Sequence, residues 1–523
     1  MRRRVAVVLT LVALAAPPTA PATAAPPDRL TPAEVATLRD YAAATWRSFE
    51  AMVSPDSGLP SDRLHLDGST DVETSTSNIG VYLWSTVAAR DLGIITAAGA
   101  EQRIAAVLDT LEGMERHEPS GQFYNWYDHR SGDKLTTWPP SGAPLTPILS
   151  SVDNGWLAAG LRVVAGAVPA LADRARALYD AMDFGFFYRE DVNRILFHHV
   201  PDTGEEACCY DTFVSESRIA TYLGIANGQI PPRAYYGTWR TFPDTCDWAW
   251  TERRPQGVTR TYQGVEVYEG HYEYRGLELV PSWGGSMFEA LMPALVVPEA
   301  EWGRASWAVN HPATVAAQIE HGLDEAEYGY WGWSPADVPL PEEPDGLGYW
   351  ALGVDGAGMD PGGYPSNLDR TLVDAGWEGC PDRPALPDPP PEAYSNGVVT
   401  AHASFLALPF APGPALDNLA RLRADFPGLY TQHGFQDTVN VDTGAATGTF
   451  LSLDQGMVMA GIANTLLDGR LSDYFVDRDL VRALRPLMAA ERFTAGPRCL
   501  AAGLDRAGAA RMVAGDGPPC GRP

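Results

Sequence analysis

The chain has 523 residues, 45% hydrophobic and 20% charged, an ordinary globular balance that excludes general disorder. Its 66 acidic and 38 basic residues leave a net charge of −28. Such a field repels phosphate backbones and anionic headgroups, which argues against nucleic acid and membrane as partners; a neutral polymer meets no such barrier, although solubility alone also explains the acidity.

The first 25 residues read as a secretory signal peptide. Arg2, Arg3 and Arg4 form a basic start, Val5 to Ala16 is an apolar run too short to span a bilayer, and Ala22-Thr23-Ala24 is a cleavage site. The expectation is a secreted, soluble, monomeric protein. Residues 26–490 read as one domain because no linker divides two differently patterned halves, and 491–523 read as a C-terminal tail. Six cysteines in an oxidising compartment should mostly pair. Cys499 and Cys520 are placed to close the tail, Cys246 and Cys380 to tie two long insertions, and adjacent Cys208 and Cys209 to bond each other or separate partners; sequence alone leaves 15 connectivities. No cofactor is implied. No C-x-x-C pair or His/Cys cluster suggests zinc, and the loop Asp355 to Asp369 has acids for calcium but not the EF-hand order.

Hydrophobic period and caps predict helices over Pro32 to Ala51, Ser77 to Leu92, Ala97 to Met114, Val152 to Val164, Ala170 to Met182 and Val214 to Asn227. They recur over Ser286 to Leu295, Pro312 to His321, Val398 to Leu406, Pro414 to Ala424, Leu453 to Leu467 and Tyr474 to Met488. Phe123 to Tyr127 and Ile195 to His199 read as short aromatic strands. The class is all-α, with helices in neighbouring pairs and no repeat of fixed period.

The chain carries 15 Trp, 21 Tyr and 16 Phe, and several carboxylates stand beside rings and glycines. Glu216 opens a helix in Ser215-Glu216-Ser217-Arg218-Ile219, where an acid is commonly only a cap or dipole partner. Asp454 stands at a helix entry in Leu453-Asp454-Gln455-Gly456, where capping is again the simpler role. Asp153 and Trp156, in Val152-Asp153-Asn154-Gly155-Trp156, combine a carboxylate and an indole on one turn, as a sugar subsite requires or as a cap with a core ring would supply. Trp283 and Glu289 lie in Pro281-Ser282-Trp283-Gly284-Gly285-Ser286-Met287-Phe288-Glu289, with Glu289 either an acid near substrate or a buried hydrogen-bonding anchor. Trp126, Trp331 and Phe435 sit in ring-rich loops that read as subsite walls, though rings at this density are more often core.

These motifs, in this order over about Leu38 to Leu467, resemble the glycoamylase (glucoamylase-like) family, which includes bacterial endo-β-1,2-glucanases and the hydrolase-like domain of cyclic β-1,2-glucan synthases. The resemblance implies an (α/α)6 toroid with short strands and long rim loops. It implies a glycoside hydrolase acting within a neutral glucan, β-1,2-linked, by an inverting mechanism. Such chemistry needs one protonated and one ionised carboxyl. The resemblance assigns Glu216 as acid and Asp454 as base and favours Asp153, Trp156 and Trp331 toward the sugar; Arg218, Trp283 and Glu289 lie within the resembling passages, and Trp126 and Phe435 join the substrate-binding candidates as residues of ring-rich loops. Leu453 and Met457 depart from the family pattern beside Asp454, and Thr241 to Tyr274 and Pro339 to Tyr394 read as insertions, where loops set specificity. An exo-acting glucosidase and a non-catalytic glycan binder are the alternatives.

Overall fold

A computed structural model describes residues 30–242, 253–339, 347–359, 367–369, 390–394 and 397–496. The signal peptide and Cys246, Cys380, Cys499 and Cys520 lie outside the described residues, as does the middle of the loop from Asp355 to Asp369, residues 360–366. The sulfurs of Cys208 and Cys209 are in contact.

The described residues contain fourteen α-helices. They are α1 (Pro32–Met52), α2 (Thr76–Asp91), α3 (Ala97–Gly113), α4 (Ser151–Ala167), α5 (Ala172–Asp180), α6 (Arg218–Ala226), α7 (Met287–Leu291), α8 (Glu299–Trp302), α9 (Trp307–Glu320), α10 (Ala401–Ala407), α11 (Pro412–Asp425), α12 (Ser452–Leu466), α13 (Arg470–Phe475) and α14 (Arg478–Ala490). Side-chain caps define many starts, since the first N–H groups of a helix lack partners within it. Thr31 closes a capping box with Glu34, and Ser75, Thr96, Ser150, Ser286 and Asp477 each accept from a backbone N–H of the first turn.

Burial divides the helices into two layers. Nearly every residue of α2, α10 and the first three turns of α12 is buried, and α4 is buried along most of its length, as expected of helices enclosed on all sides. By contrast α14 buries only Leu480, Leu484, Leu487 and Met488, and α3 a similar single stripe. These outer helices need one apolar face because water meets the other.

Most inner helices follow a short strand. Glu73–Ser75 leads into α2, Leu149–Ser150 into α4, Val398–Thr400 into α10 and Thr449–Leu451 into α12. These strands pair with Trp126–Asp128, His198–Val200, Thr438–Asn440 and Arg63–His65. Side chains then link successive helix starts. Ser77 of α2 donates to Asp153 of α4 at 2.7 Å, Trp156 of α4 donates to Glu216 before α6, and the Glu216 N–H donates to Glu289 of α7 at 2.8 Å. Helix α7 packs on α10, α10 on α12 and α12 on α2. The inner helix starts therefore meet at one end of the molecule, under the short strands.

The inner layer depends on glycine where backbones touch. A Cβ on Gly80 of α2 would lie 2.2 Å from the Trp156 carbonyl oxygen, and one on Gly160 of α4 would lie 2.3 Å from that of Gly80.

The helix expectations hold in position and differ at ends. Val398 opens a strand rather than a helix, because its backbone pairs with Asn440. The stretch from Tyr474 divides into α13 and α14 at Asp477, which caps the second. The segment expected from Val214 becomes helical only at Arg218, and the one from Ser286 passes into a 3₁₀ turn at Met292–Leu295, where Pro293 removes a donor. The segment expected from Pro312 begins at Trp307, with Pro312 inside the helix. A three-stranded antiparallel sheet, Gln256–Tyr262, Val265–Tyr274 and Leu277–Leu279, was not foreseen. Helix is thus the commonest element among the described residues, with short strands and one three-stranded sheet beside it.

Candidate active site

Two groups of carboxyls stand at the helix starts. The first centres on Glu216, which precedes α6 in a turn where Ser215 and Ser217 hydroxyls lie 3.1 Å apart. Its Oε2 accepts from the Trp156 indole N–H, and its backbone N–H donates to Glu289. Glu216, Glu289 and Asp153 keep partial exposure. Burial, then the neighbouring Glu289 charge, pushes Glu216 well above the usual carboxylate range, and burial brings Glu289 to about 7. Burial likewise raises Asp153. Asp153 Oδ1 accepts from Ser77 Oγ, and with the Asn125 amide turned to satisfy both its atoms, that amide donates to Asp153 Oδ2 at 2.8 Å and accepts from Trp126 Nε1 at 2.9 Å. Asp153 is thus a carboxyl held at both oxygens as well as a first-turn acid. The arrangement can keep one carboxyl protonated near neutral pH while presenting it to a ligand.

The second group centres on Asp454, only 1% exposed at the start of α12. Its Oδ2 lies 3.0 Å from His402 Nδ1, which in turn lies 2.7 Å from Thr400 Oγ1. Burial lowers His402 to about 3, so the ring is neutral and supplies no counter-charge. Burial and the nearby Asp337 and Asp62 charges push Asp454 well above the usual range, and Asp437 rises similarly through burial, Asp454 and Asp337. Arg63 answers part of this charge through a bidentate pair with Asp337 at 2.8 and 2.9 Å. Asp62 accepts from the Asn78 amide at 2.7 Å. A buried carboxyl with raised proton affinity, beside further acids, can hold or receive a proton.

Several residues expected at the sugar stand elsewhere. Trp156 is 1% exposed and packs edge-on against Trp84, so it offers Glu216 a donor rather than a sugar a platform. Trp331 and Phe435 are core side chains, at 0% and 3% exposure. Arg218 is buried and its five guanidinium hydrogens are all committed to protein: Nε and Nη2 to Glu299, Nη1 to the Ser215 and Glu289 carbonyls, and Nη2 also to the Ala290 carbonyl. No donor remains for a hydroxyl. Trp126 and Trp283 retain partial exposure, Trp126 beside Trp138 and Trp283 beside Phe197 and Tyr210. Sequence reasoning missed Ser77, His402 and Glu299, and reached Asp437 only as part of the ring-rich loop His433-Gly434-Phe435-Gln436-Asp437. His402 and Glu299 stand among mostly apolar neighbours, whereas Ser77 lies in a run of polar residues and Asp437 between Gln436 and Thr438, so their neighbours in sequence did not single them out.

The model of a putative glucoamylase family matches residues 379–478, and that of a family of proteins of unknown function, DUF3131, matches residues 40–192. A putative glucoamylase structure from Bacteroides uniformis superposes with a TM-score of 0.62 at 16% identity, over 88% of this chain and 98% of the other. The fold is the glucoamylase-like one. An endo-β-1,2-glucanase from Chitinophaga pinensis, in complex with sophorotriose and glucose, gives 0.61 at 16% identity over 87% and 98%. A Talaromyces funiculosus endo-β-1,2-glucanase mutant in complex with β-1,2-glucan gives 0.60 at 12% over 89% and 91%. The cyclic β-(1,2)-glucan synthase NdvB of Rhizobium meliloti (strain 1021) is 27% identical over 342 residues, 62% of this chain. The match spans a tenth of the synthase's length.

Proposed function

We propose that this protein is a secreted glycoside hydrolase that cleaves within a neutral β-1,2-linked glucan by inversion, with Glu216 as general acid and Asp454 as general base. Its inner helices α2, α4, α6, α7, α10 and α12 then form the inner ring of an (α/α)6 toroid, with the site at the end where they begin. The observation that carries this reading is Glu216 itself: a partly exposed carboxyl, raised by burial and by Glu289, oriented by an indole N–H at the floor of the site. A donor to a glycosidic oxygen must be protonated at working pH, and this environment favours that state. The structural likeness to endo-β-1,2-glucanases supports the substrate class.

In the proposed reaction, Glu216 gives its proton to the leaving oxygen as the glycosidic bond breaks. Water attacks the anomeric carbon from the opposite face and yields its proton toward Asp454. Inversion requires roughly 6.5–9.5 Å between the acting carboxyls, leaving room for that water. Asp454 must be ionised to serve, so its raised proton affinity makes it a strong base once charged.

The test is to incubate the purified protein with a panel of neutral polysaccharides and follow products by chromatography and proton NMR. Oligosaccharides of several lengths from β-1,2-glucan, appearing first as α-anomers, are expected. Glucose alone would establish exo action, initial β-anomer would exclude inversion, and binding without products would leave a glycan-binding protein.

A further inference from the structure

Arg218 and Glu299 form a buried ion pair, at 4% and 0% exposure, with bonds of 2.7 and 3.0 Å between guanidinium and carboxylate. Glu299 also accepts from Tyr222 at 2.8 Å and lies 3.1 Å from His311 Nε2, while Trp307 covers the guanidinium at 4.6 Å. Burial opposes the Glu299 charge, yet Arg218 and His311 hold its carboxyl at about 2. Burial lowers His311, favouring a neutral ring that donates.

Such a pair is a poor device for stability alone, because burying two charges costs about as much as their attraction returns, and apolar replacements often do as well. What apolar side chains cannot do is bind three carbonyls at fixed positions. Arg218 reaches the Ser215 carbonyl at 2.8 Å, immediately before Glu216, and the Glu289 and Ala290 carbonyls at 2.9 and 2.7 Å. It thereby ties the turn bearing one site carboxyl to the helix bearing the other.

We infer that Arg218, anchored by Glu299, is a positioning residue that sets the separation of Glu216 and Glu289 and so keeps the proton donor poised, rather than a group that binds sugar. The inference rests on the reading of Glu216 as the acid. Arg218→Lys tests it, since lysine keeps the charge and a bond to Glu299 but cannot satisfy the carbonyls through a planar fork.

The readout independent of turnover is the Trp156 indole N–H, bonded to Glu216. In full-length protein labelled with ¹⁵N-tryptophan, its resonance, assigned by loss in Trp156→Phe, is followed against pH. In Arg218→Lys the titration midpoint should move down, because carboxyls no longer held together repel less. On a glucan identified by the panel, kcat should fall about 10- to 100-fold with KM within about twofold, the cost of a misplaced reacting group. Leu484→Ala, a core truncation on α14, is the control for general destabilisation and should leave the midpoint in place. If Arg218→Lys does not fold, Glu299→Gln takes its place, with the same direction expected. An unmoved midpoint in the folded variant, or an equal shift in Leu484→Ala, overturns the inference. Absence of turnover by the wild-type protein would refute the proposed function while the indole titration still decided this point.

Discussion

Glu216 and Asp454 occupy unlike surroundings: the first is partly exposed, with an indole donor and a neighbouring carboxyl, and the second is buried beside a neutral histidine. Glu216→Gln preserves shape but has no carboxyl proton to give, and Asp454→Asn cannot accept one from water. Each should reduce turnover at least about a hundredfold with the circular dichroism spectrum unchanged; near wild-type rates would reduce the residue to a helix-start acid. The pH dependence follows from the neighbours. Glu216 acts protonated, burial and the Glu289 charge raise it, and activity should therefore persist toward neutral pH and disappear as pH climbs past the raised value. Glu289→Gln removes the like charge while its amide oxygen still accepts from the Glu216 N–H. The alkaline limb of the kcat profile should consequently shift to lower pH, and an unmoved limb would show that the two carboxyls do not interact.

At the scale of elements, the α2–α4 crossing positions much of the first carboxyl group, since Ser77 is on α2 and both Asp153 and Trp156 are on α4. The crossing works because Gly80 and Gly160 let the backbones touch. Gly80→Ala should destabilise by about 1–3 kcal/mol or more, read from denaturant unfolding, and should lower turnover beyond the loss of folded protein. Gly113→Ala at the end of α3, where no atom lies within 4 Å of the added carbon, is the control and should be neutral or slightly stabilising. Trp156→Ala should cost about 3–5 kcal/mol, because the ring is core-packed as well as bonded to Glu216.

For the whole molecule, pH should act on stability through buried acids. Burial raises Glu73, Glu269 and Glu289 to about 7, against an ordinary value of 4.5. The folded state therefore binds more protons than the unfolded chain over that interval, so this stability is present below the ordinary value and lost as pH rises through about 7. Tm should fall between pH 5 and pH 8. Glu269→Gln, at a wholly buried site near Arg240 and Glu491, should flatten the decline, and a Tm that rises over this range would contradict the argument. Separately, thiol titration of denatured, unreduced protein should find at most two free thiols if the chain passes through an oxidising compartment; four or more would refute that expectation.

Helix positions and the order of motifs were legible in the sequence because caps, apolar period and glycine–aromatic turns are local: Thr31 and Glu34 close their box within one turn, and Ser150 caps the helix bearing Asp153. Glu216, Glu289, Asp153 and Asp454 could be selected as candidates for the same reason. What each does was not local. Arg218 looks like a free cation beside an acid until Glu299, 81 residues away, and three carbonyls occupy it. Trp156 and Trp331 have the composition of sugar platforms but lie inside the packed helices. His402 and Asp437 gain meaning only where they meet Asp454. Residue type and period determine which segments become helices and which residues have the chemistry to act. Burial, hydrogen-bond saturation and proton affinity depend on what the rest of the chain brings alongside, and those only the tertiary structure decided.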